Sequence, residues 1–523
     1  MKSMSTLHLF LLFFCLSLHL SAQPSIQWQI TLGGTLYDEA KSVQQTTDGG
    51  YFIAGYTVSY NFDVTNNHGF YDFWAVKLDS MGIVQWKKTY GGSSDDWAYD
   101  AKQTIDGGYI LTGYTESNDG DVSGNHGDKD VWVLKLAFNG DIEWQKCLGG
   151  SSRDEASSIQ LTNDGGYILA GSSSSTDGDV SGNHGSLDYW VVKLNHSGSI
   201  EWQKSLGGSS FDFGYSVAPT NDGGYIVAGE SQSNDGDVSG NQIGLDVWVI
   251  KLNFEGKIEW QKELGGSGLD RANDIHQTRE GGFVVFGQTS SNDGDVSGNH
   301  GNGYDFWVVK LNNSGAIEWQ KALGGSGEDY GQSICQTTDG GFVATGYVNS
   351  INGDVTNNHG STDLWVVKLT EGGELQWQKA FGGTLQETGF ALQQTNDGGY
   401  IISGYAWSNN GDVSGVKGKA DFWVVKLSPE SSPTTTPTAL PLEIYPNPAT
   451  HTISLQVPRD QATAAGETPL YIRITDLLGQ EISQQTLLPG KSLDIAALPN
   501  GMYVLTATDA LGKVFSGRFV KQE

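Results

Sequence analysis

Fourteen tryptophans recur at a single interval along this chain, and that regularity leaves few folds open. One register is Trp28, Trp86, Trp144, Trp202, Trp260, Trp319 and Trp377, and the second is Trp74, Trp132, Trp190, Trp248, Trp307, Trp365 and Trp423. The spacing is 58 residues, with one extra residue before Trp307 and before Trp319. Self-similarity at a fixed period is the mark of a repeat architecture, and 14 of the 16 tryptophans obey it.

Within one unit the pattern predicts four short strands. Ala156 to Thr162 reads as strand A, Asn163-Asp164-Gly165-Gly166 as a hairpin turn, and Tyr167 to Gly171 as strand B. A long polar loop runs to Leu187, then Tyr189 to Leu194 reads as strand C and Ile200 to Leu206 as strand D. Alternation in strand D sets Ile200, Trp202 and Leu206 on one face and Glu201, Gln203 and Ser205 on the other, as an outermost strand requires. Four strands per unit suit a propeller blade. The phase of the chain separates a ring from an open stack. It starts with a lone strand D, Ile26 to Leu32, and the seventh unit stops after strand C, at Asp421 to Leu427. An open stack leaves both edges bare, whereas in a ring the first strand completes the last blade. The expected fold is all-β: a seven-bladed β-propeller of four-stranded blades over 26–427.

Composition narrows the setting. Residues 1–22 read as a signal peptide, with Lys2, the apolar run Leu9 to Leu18 and small residues at Ser21-Ala22. That run is too short for a permanent span, and no later segment approaches one. Cys147 and Cys335 are the only other cysteines besides Cys15, so a disulfide framework is excluded. Stability must come from burial, for which 16 Trp, 21 Tyr and 20 Phe supply the surface. A formal net charge of −30 argues against nucleic acid and against docking on anionic lipid.

The unit resembles a bacterial β-propeller repeat family through Leu206-Gly207-Gly208-Ser209, Asp222-Gly223-Gly224-Tyr225 and Trp190-Val191-Val192-Lys193-Leu194-Asn195. That resemblance implies the fold and says little of a ligand. Residues 428–440 read as a Pro/Thr-rich linker, and 441–523 as a separate strand-rich module, expected to be an Ig-like β-sandwich. Its motifs are Leu442 to Pro448, Ile474 to Gly479, Leu498 to Val504 and Gly517 to Lys521. They resemble the type A C-terminal sorting domain of the type IX secretion system. The resemblance implies passage across inner and outer membranes to the cell surface or beyond, with the secretion machinery as partner.

Two acidic features are expected on one face of the ring. The B-to-C loops carry Asp119, Asp121, Ser123 and Asp130, then Asp177, Asp179, Ser181 and Asp188. The next repeats carry Asp235, Asp237, Ser239 and Asp246, and Asp293, Asp295, Ser297 and Asp305. Oxygen ligands at positions 1, 3 and 5, a Gly at 6 and an acid near 12 match a calcium loop. Asn61, Asn352 and Asn410 replace the first acid in three repeats, and Asx-turns are the competing reading. His68, His126, His184, His300 and His359 fall in the same loops, one per blade, and are expected to pack them. The D-to-A connections carry an acid in every copy: Asp38, Asp96, Asp154, Asp212, Asp270, Asp329 and Glu387. These are expected to ring the channel mouth as ligand-facing groups. Their neighbours vary, and among them Trp97, Phe213 and Tyr330 are the aromatic candidates for a binding face. No nucleophile elbow, phosphate loop or zinc motif is found. The expectation is a non-enzymatic surface or secreted binding and adhesion module for a glycan or protein. The alternatives are a polysaccharide-active enzyme and a structural surface protein.

Overall fold

The computed structural model describes residues 23–240, 244–301, 303–430, 440–456, 470–475, 481–488, 491–509 and 514–522. The expected signal peptide, most of the linker and Asp476 to Gly479 of the tail lie outside the described residues. The chain divides into two compact units after Pro429. Among the described residues every regular element is a strand, and no helix is long and apolar enough to cross a membrane.

The first unit contains seven four-stranded antiparallel sheets. In the third repeat they run Asp154–Leu161, Tyr167–Ser173, Asp188–Leu194 and Ile200–Leu206, in the order A-B-C-D. Strands B and C are buried along their whole length and read as continuous apolar runs, while D is half wet. The seventh sheet joins Glu387–Gln394, Tyr400–Ala406 and Asp421–Leu427 to Ile26–Leu32 from the other end of the unit, with Leu32 opposite Phe422.

The two tryptophan registers serve different purposes. Those on strand C are fully buried, and the indole N–H of Trp132, Trp190, Trp248, Trp307 and Trp365 donates to a strand-D glutamine of the same sheet. In the seventh sheet Trp423 donates to Gln29 of the N-terminal strand at 2.9 Å. Those on strand D from Trp28 to Trp319 are half-buried and lie under a glycine of the next repeat's C-to-D turn, while Trp377, next to the seam, is buried. At Gly198 (φ 78°) a side chain would sit 2.7 Å from the Trp144 ring, so both the backbone angle and the space demand glycine.

The second tie is electrostatic. The strand-C lysine of each repeat lies under the A-to-B turn; Lys77 reaches Asp48 at 2.9 Å, and Lys193 reaches both Asp164 and Glu201 at 2.9 Å. Against a burial penalty, hydrogen bonds from the turn threonine, the turn backbone and that lysine hold Asp48, Asp106, Asp164 and Asp222 near 2.

Neighbouring sheets meet at one repeated bond. The first residue of each strand A donates its N–H to the residue before strand C of the preceding repeat: Asp96 to Tyr71, Asp154 to Lys129 and Asp212 to Leu187, each at 2.7 Å. Asp38 donates to Ala420 at 2.8 Å, so sheets seven and one are joined as the others are. A shared core with Leu32, Val43, Trp74, Phe422 and Val424 underlies that junction.

Among its described residues the second unit holds two sheets. One has five strands, in the order Leu440–Pro441, Val514–Lys521, Gly501–Thr508, Leu470–Thr475 and Glu481–Leu487; the other has Glu443–Tyr445, Thr452–Gln456 and Leu493–Asp494. Ile453, Ile474, Leu505, Phe515 and Phe519 form its core.

Candidate ligand-binding site

Each strand A carries a β-bulge at the same place, between Ala40 and Ser42 in the first repeat and between Gly389 and Ala391 in the seventh. A bulge leaves one residue out of the ladder and re-aims its side chain. The seven re-aimed residues are Lys41, Tyr99, Ser157, Tyr215, Asn273, Gln332 and Phe390, and all seven line one cavity of about 640 Å³. Pockets of this volume hold small ligands or parts of larger ones. The backbone repeats here while the side chains do not.

The flanks of the bulges are aromatic and charge-paired, and Tyr215, Tyr330, Tyr347, Phe390, Lys41 and Arg271 among them line the cavity. Trp97 is half-buried among Tyr56, Tyr71 and Tyr114, with ring centroids 4.2, 4.8 and 5.9 Å away. Phe213 sits between exposed Phe211 and cavity-lining Tyr215, the three rings nearly parallel at 6.2 Å spacing. Tyr330 packs against Tyr304 at 5.1 Å and Tyr347 at 4.9 Å. Arg271 grips Glu230 through two bonds of 2.6 and 2.8 Å and covers the Tyr215 ring. Lys41 contacts Glu39 at 3.0 Å and lies 3.3 Å from the centre of the Phe390 ring, and burial pulls its ammonium below the ordinary lysine value. Sequence reasoning selected Trp97, Phe213 and Tyr330 from the variable flanks of strand A. It missed Tyr215, Asn273, Gln332 and Phe390, because a bulge leaves no trace in a two-residue alternation; the varying position two residues on from each flank was the available signal.

The seven strand-A acids are not ligand-facing. Asp38, Asp96, Asp154, Asp212, Asp270, Asp329 and Glu387 are each 0 % exposed. Asp96 accepts hydrogen bonds from Thr115, from Ser117 at 2.9 Å and from the Gly92 N–H at 2.8 Å, closing the D-to-A turn beneath the surface. Opposite each lies the first residue of the preceding strand C: Asp72 faces Asp96 across Gly91, and Asp421 faces Asp38 across Gly33. A side chain on Gly91 would stand 2.6 Å from an oxygen of each carboxyl. Asp72 spends Oδ2 on the His68 backbone and ring, while its buried Oδ1 has no partner; Oδ1 of Asp130, Asp188, Asp305, Asp363 and Asp421 is orphaned in the same way. Burial pushes Asp72 and Asp305 up to about 6 and Asp96 and Asp421 up to about 7.

The loop residues chosen as calcium ligands are not brought together. Asp119, Asp177, Asp235 and Asp293 each accept the N–H of a serine in the preceding D-to-A turn at 2.7 Å. Asn61, Asn352 and Asn410 accept the equivalent bond, which explains why an uncharged amide serves there. Asp121, Asp179 and Asp237 accept from the glycine N–H at the head of that turn. The N–H of Asp295 donates to Gly265. Ser123, Ser181 and Ser297 accept from a strand-D glutamine, whereas in the repeat of Ser239 the equivalent Gln261 donates to the Asp237 carbonyl instead. Asp130, Asp188 and Asp305 are buried against their loop histidines, and Asp246 is buried at the same position. Among the described residues no group of three or more His, Cys, Asp or Glu is arranged to hold a metal.

Residues 443–522 match the family model described as the secretion system C-terminal sorting domain. That domain marks cargo exported by the type IX secretion system to the cell surface or extracellular space, and it is the part that meets the secretion machinery. Over 95% of its length the chain is similar to the extracellular domain of a proposed hybrid two-component system from B. thetaiotaomicron, at 11% identity and TM-score 0.40. Over 72% it is similar to puromycin hydrolase, at 10% identity and TM-score 0.41. It spans 59% and 54% of those two chains. A luciferin-regenerating enzyme is similar over 77% of this chain and 95% of its own, at 8% identity and TM-score 0.34. Likenesses this distant carry no functional argument. No curated protein matches the sequence.

Proposed function

We propose that this protein is an exported binding module, a closed seven-bladed β-propeller whose hub cavity takes an extracellular ligand, followed by an Ig-like sandwich that addresses it for export. Closure is supported by the bond from Asp38 to Ala420 and by one cavity that touches all seven inner strands. The observation that carries the binding reading is the row of bulged residues, different in nearly every blade on a backbone that repeats. Binding rather than turnover is favoured by the chemistry of the wall. A general acid and base need two groups in unlike environments and free to move protons, whereas the carboxylates around this cavity are already engaged: Glu39 by Lys41, Asp100 by Lys102, Glu155 by Arg153 and Glu230 by Arg271 as ion pairs, and Asp274 by the His276 ring.

The test is a screen of the exported protein against extracellular glycans and proteins, read for both saturable binding and product release. Saturable binding without product, lost in Phe213→Ala and Tyr330→Ala, is the expected result; release of shortened glycans would make it an enzyme. Deleting 441–523 is expected to leave the first unit folded and confined inside the cell, seen by surface proteolysis and fractionation. Arrival of the truncated protein at the surface would show that export does not run through the tail.

A further inference from the structure

Resting on the hub cavity as the binding site, the class of ligand follows from which of its polar groups are already engaged. Every charged side chain lining the cavity has a partner of opposite sign: Lys41 with Glu39 at 3.0 Å, Arg271 with Glu230 at 2.6 Å and His276 with Asp274 at 3.1 Å. Lys102 is likewise bound to Asp100, and Glu155 to Arg153 at 2.7 Å. An ionic ligand would have to take one member of such a pair and strand the other beneath the rim, which is strongly unfavourable. The groups left over are uncharged. Ser157, Gln160 and Gln332 line the cavity, are half-buried and make no side-chain hydrogen bond to any described residue. Beside them stand the rings of Tyr215, Tyr330 and Phe390, of which Tyr215 has one face under Arg271 and Phe390 one face under Lys41, and the parallel series Phe211, Phe213 and Tyr215 runs to the exposed Phe211.

We infer that the cavity binds an uncharged carbohydrate chain, its hydroxyls on the free amides and serine and its C–H faces on the aromatic series. A pyranose is apolar on its faces and hydroxylated at its edges, and this wall alternates rings with amides in the same sense. An apolar peptide would leave the amides unpaired, at the cost of buried unsatisfied groups. An acidic or basic glycan would meet no free counter-charge.

Titration calorimetry of the full exported chain tests this with cellohexaose, xylohexaose and mannohexaose against hexagalacturonate and a chitosan hexamer, each at low and high salt. The expected result is saturable binding of at least one neutral hexamer, insensitive to salt because no ion pair forms. It should weaken about tenfold in Phe213→Ala, as loss of an aromatic contact at the approach to the cavity does. Gln332→Ala, which disturbs no internal bond, should weaken it also, so a folding defect in the first variant leaves the second decisive. Salt-sensitive binding of only the charged hexamers, still lost in Phe213→Ala, would overturn the class and leave the site standing. A protein partner bound through Phe213, with no neutral hexamer bound, would do the same. Binding indifferent to both substitutions would overturn the site itself.

Discussion

Between about pH 5 and about pH 8 the melting temperature falls, on the order of 5 °C, and Asp421→Asn removes part of the fall. The cause is the set of buried acid pairs between consecutive repeats. Asp38 and Asp421 approach the same glycine from two sides, both fully buried. Asp38 only accepts: from Thr57, from Ser59 at 2.9 Å and from the Gly34 N–H at 2.7 Å. Asp421 accepts from the Lys417 N–H at 2.9 Å through one oxygen, and its other oxygen is orphaned. The Lys417 ammonium bonds to Asp63 and the Thr31 carbonyl and not to either carboxyl of the pair, so its charge only partly offsets the burial of Asp421. A proton on the orphaned oxygen cancels one of two like charges and supplies the missing donor. Burial accordingly raises Asp421 and Asp96 to about 7, and Asp72 and Asp305 to about 6, from 3.8.

A raised folded value means that stability is complete below the unfolded value of 3.8 and is lost as the pH climbs through 6 and 7. Each unit of displacement corresponds to about 1.4 kcal/mol, so a single pair matters against a net stability of about 5–15 kcal/mol. The turn aspartates act oppositely. Asp48, Asp106, Asp164 and Asp222, held near 2, give stability that is lost as the pH falls from 3.8 through 2. The optimum therefore lies between the two windows. Asparagine at 421 keeps an oxygen for Lys417 and turns an N–H toward Asp38 at every pH. A flat or rising melting temperature over this range, or an Asp421→Asn variant weaker at every pH, would dismiss the shared proton.

What could be read beforehand divides along backbone and side chain. Strands B, C and D of the third repeat, and the completion of the seventh sheet by Ile26–Leu32, follow from periodicity and phase alone, because a four-strand hairpin unit has few ways to bury two tryptophans. The acids misled for a physical reason. An Asp after a Gly-Gly-Ser turn looks like a surface loop residue, but here the turn folds over it and takes its carboxyl as a cap. The spacing read as a calcium loop has a structural use that the sequence does not display: Asp119 and Asp121 are two residues apart, yet one caps Ser93 and the other Gly91. Trp97, Phe213 and Tyr330 could be selected because variation against a fixed repeat is visible in sequence, and of the three Tyr330 lines the cavity. The aim of Tyr215 and Gln332 depends on a one-residue bulge that only the ladder reveals.

Removing residues 23–32 is expected to abolish cooperative folding of the first unit, and moving them to the end of strand C is expected to restore it. The seam is a cut C-to-D hairpin. Ser428 donates to the Ser25 carbonyl at 2.9 Å, the bond that Asn195 makes to Ser199 within the intact third repeat. The strand brings Trp28, Ile30 and Leu32 into the core shared with Trp74, Phe422 and Val424, and Gln29 satisfies Trp423. Fully burying a large apolar side chain contributes roughly 1.5–3 kcal/mol, so buried Leu32 with half-buried Trp28 and Ile30 amounts to several kcal/mol, a large share of the net stability of a domain, about 5–15 kcal/mol. Without the strand, Asp421–Leu427 becomes an edge of unpaired amides beside an uncovered core, and aggregation follows. A permuted chain that starts at Gly34 and joins Leu427 to Ile26 through a copy of Asn195 to Ser199 restores the missing hairpin with the same residues in the same places. A single melt near the wild-type midpoint for the permuted chain, with none for the truncated one, is the expected pair of results. If the truncated chain melted as sharply as the intact one, the N-terminal strand would be decoration on an open stack, and the ring would have to be given up.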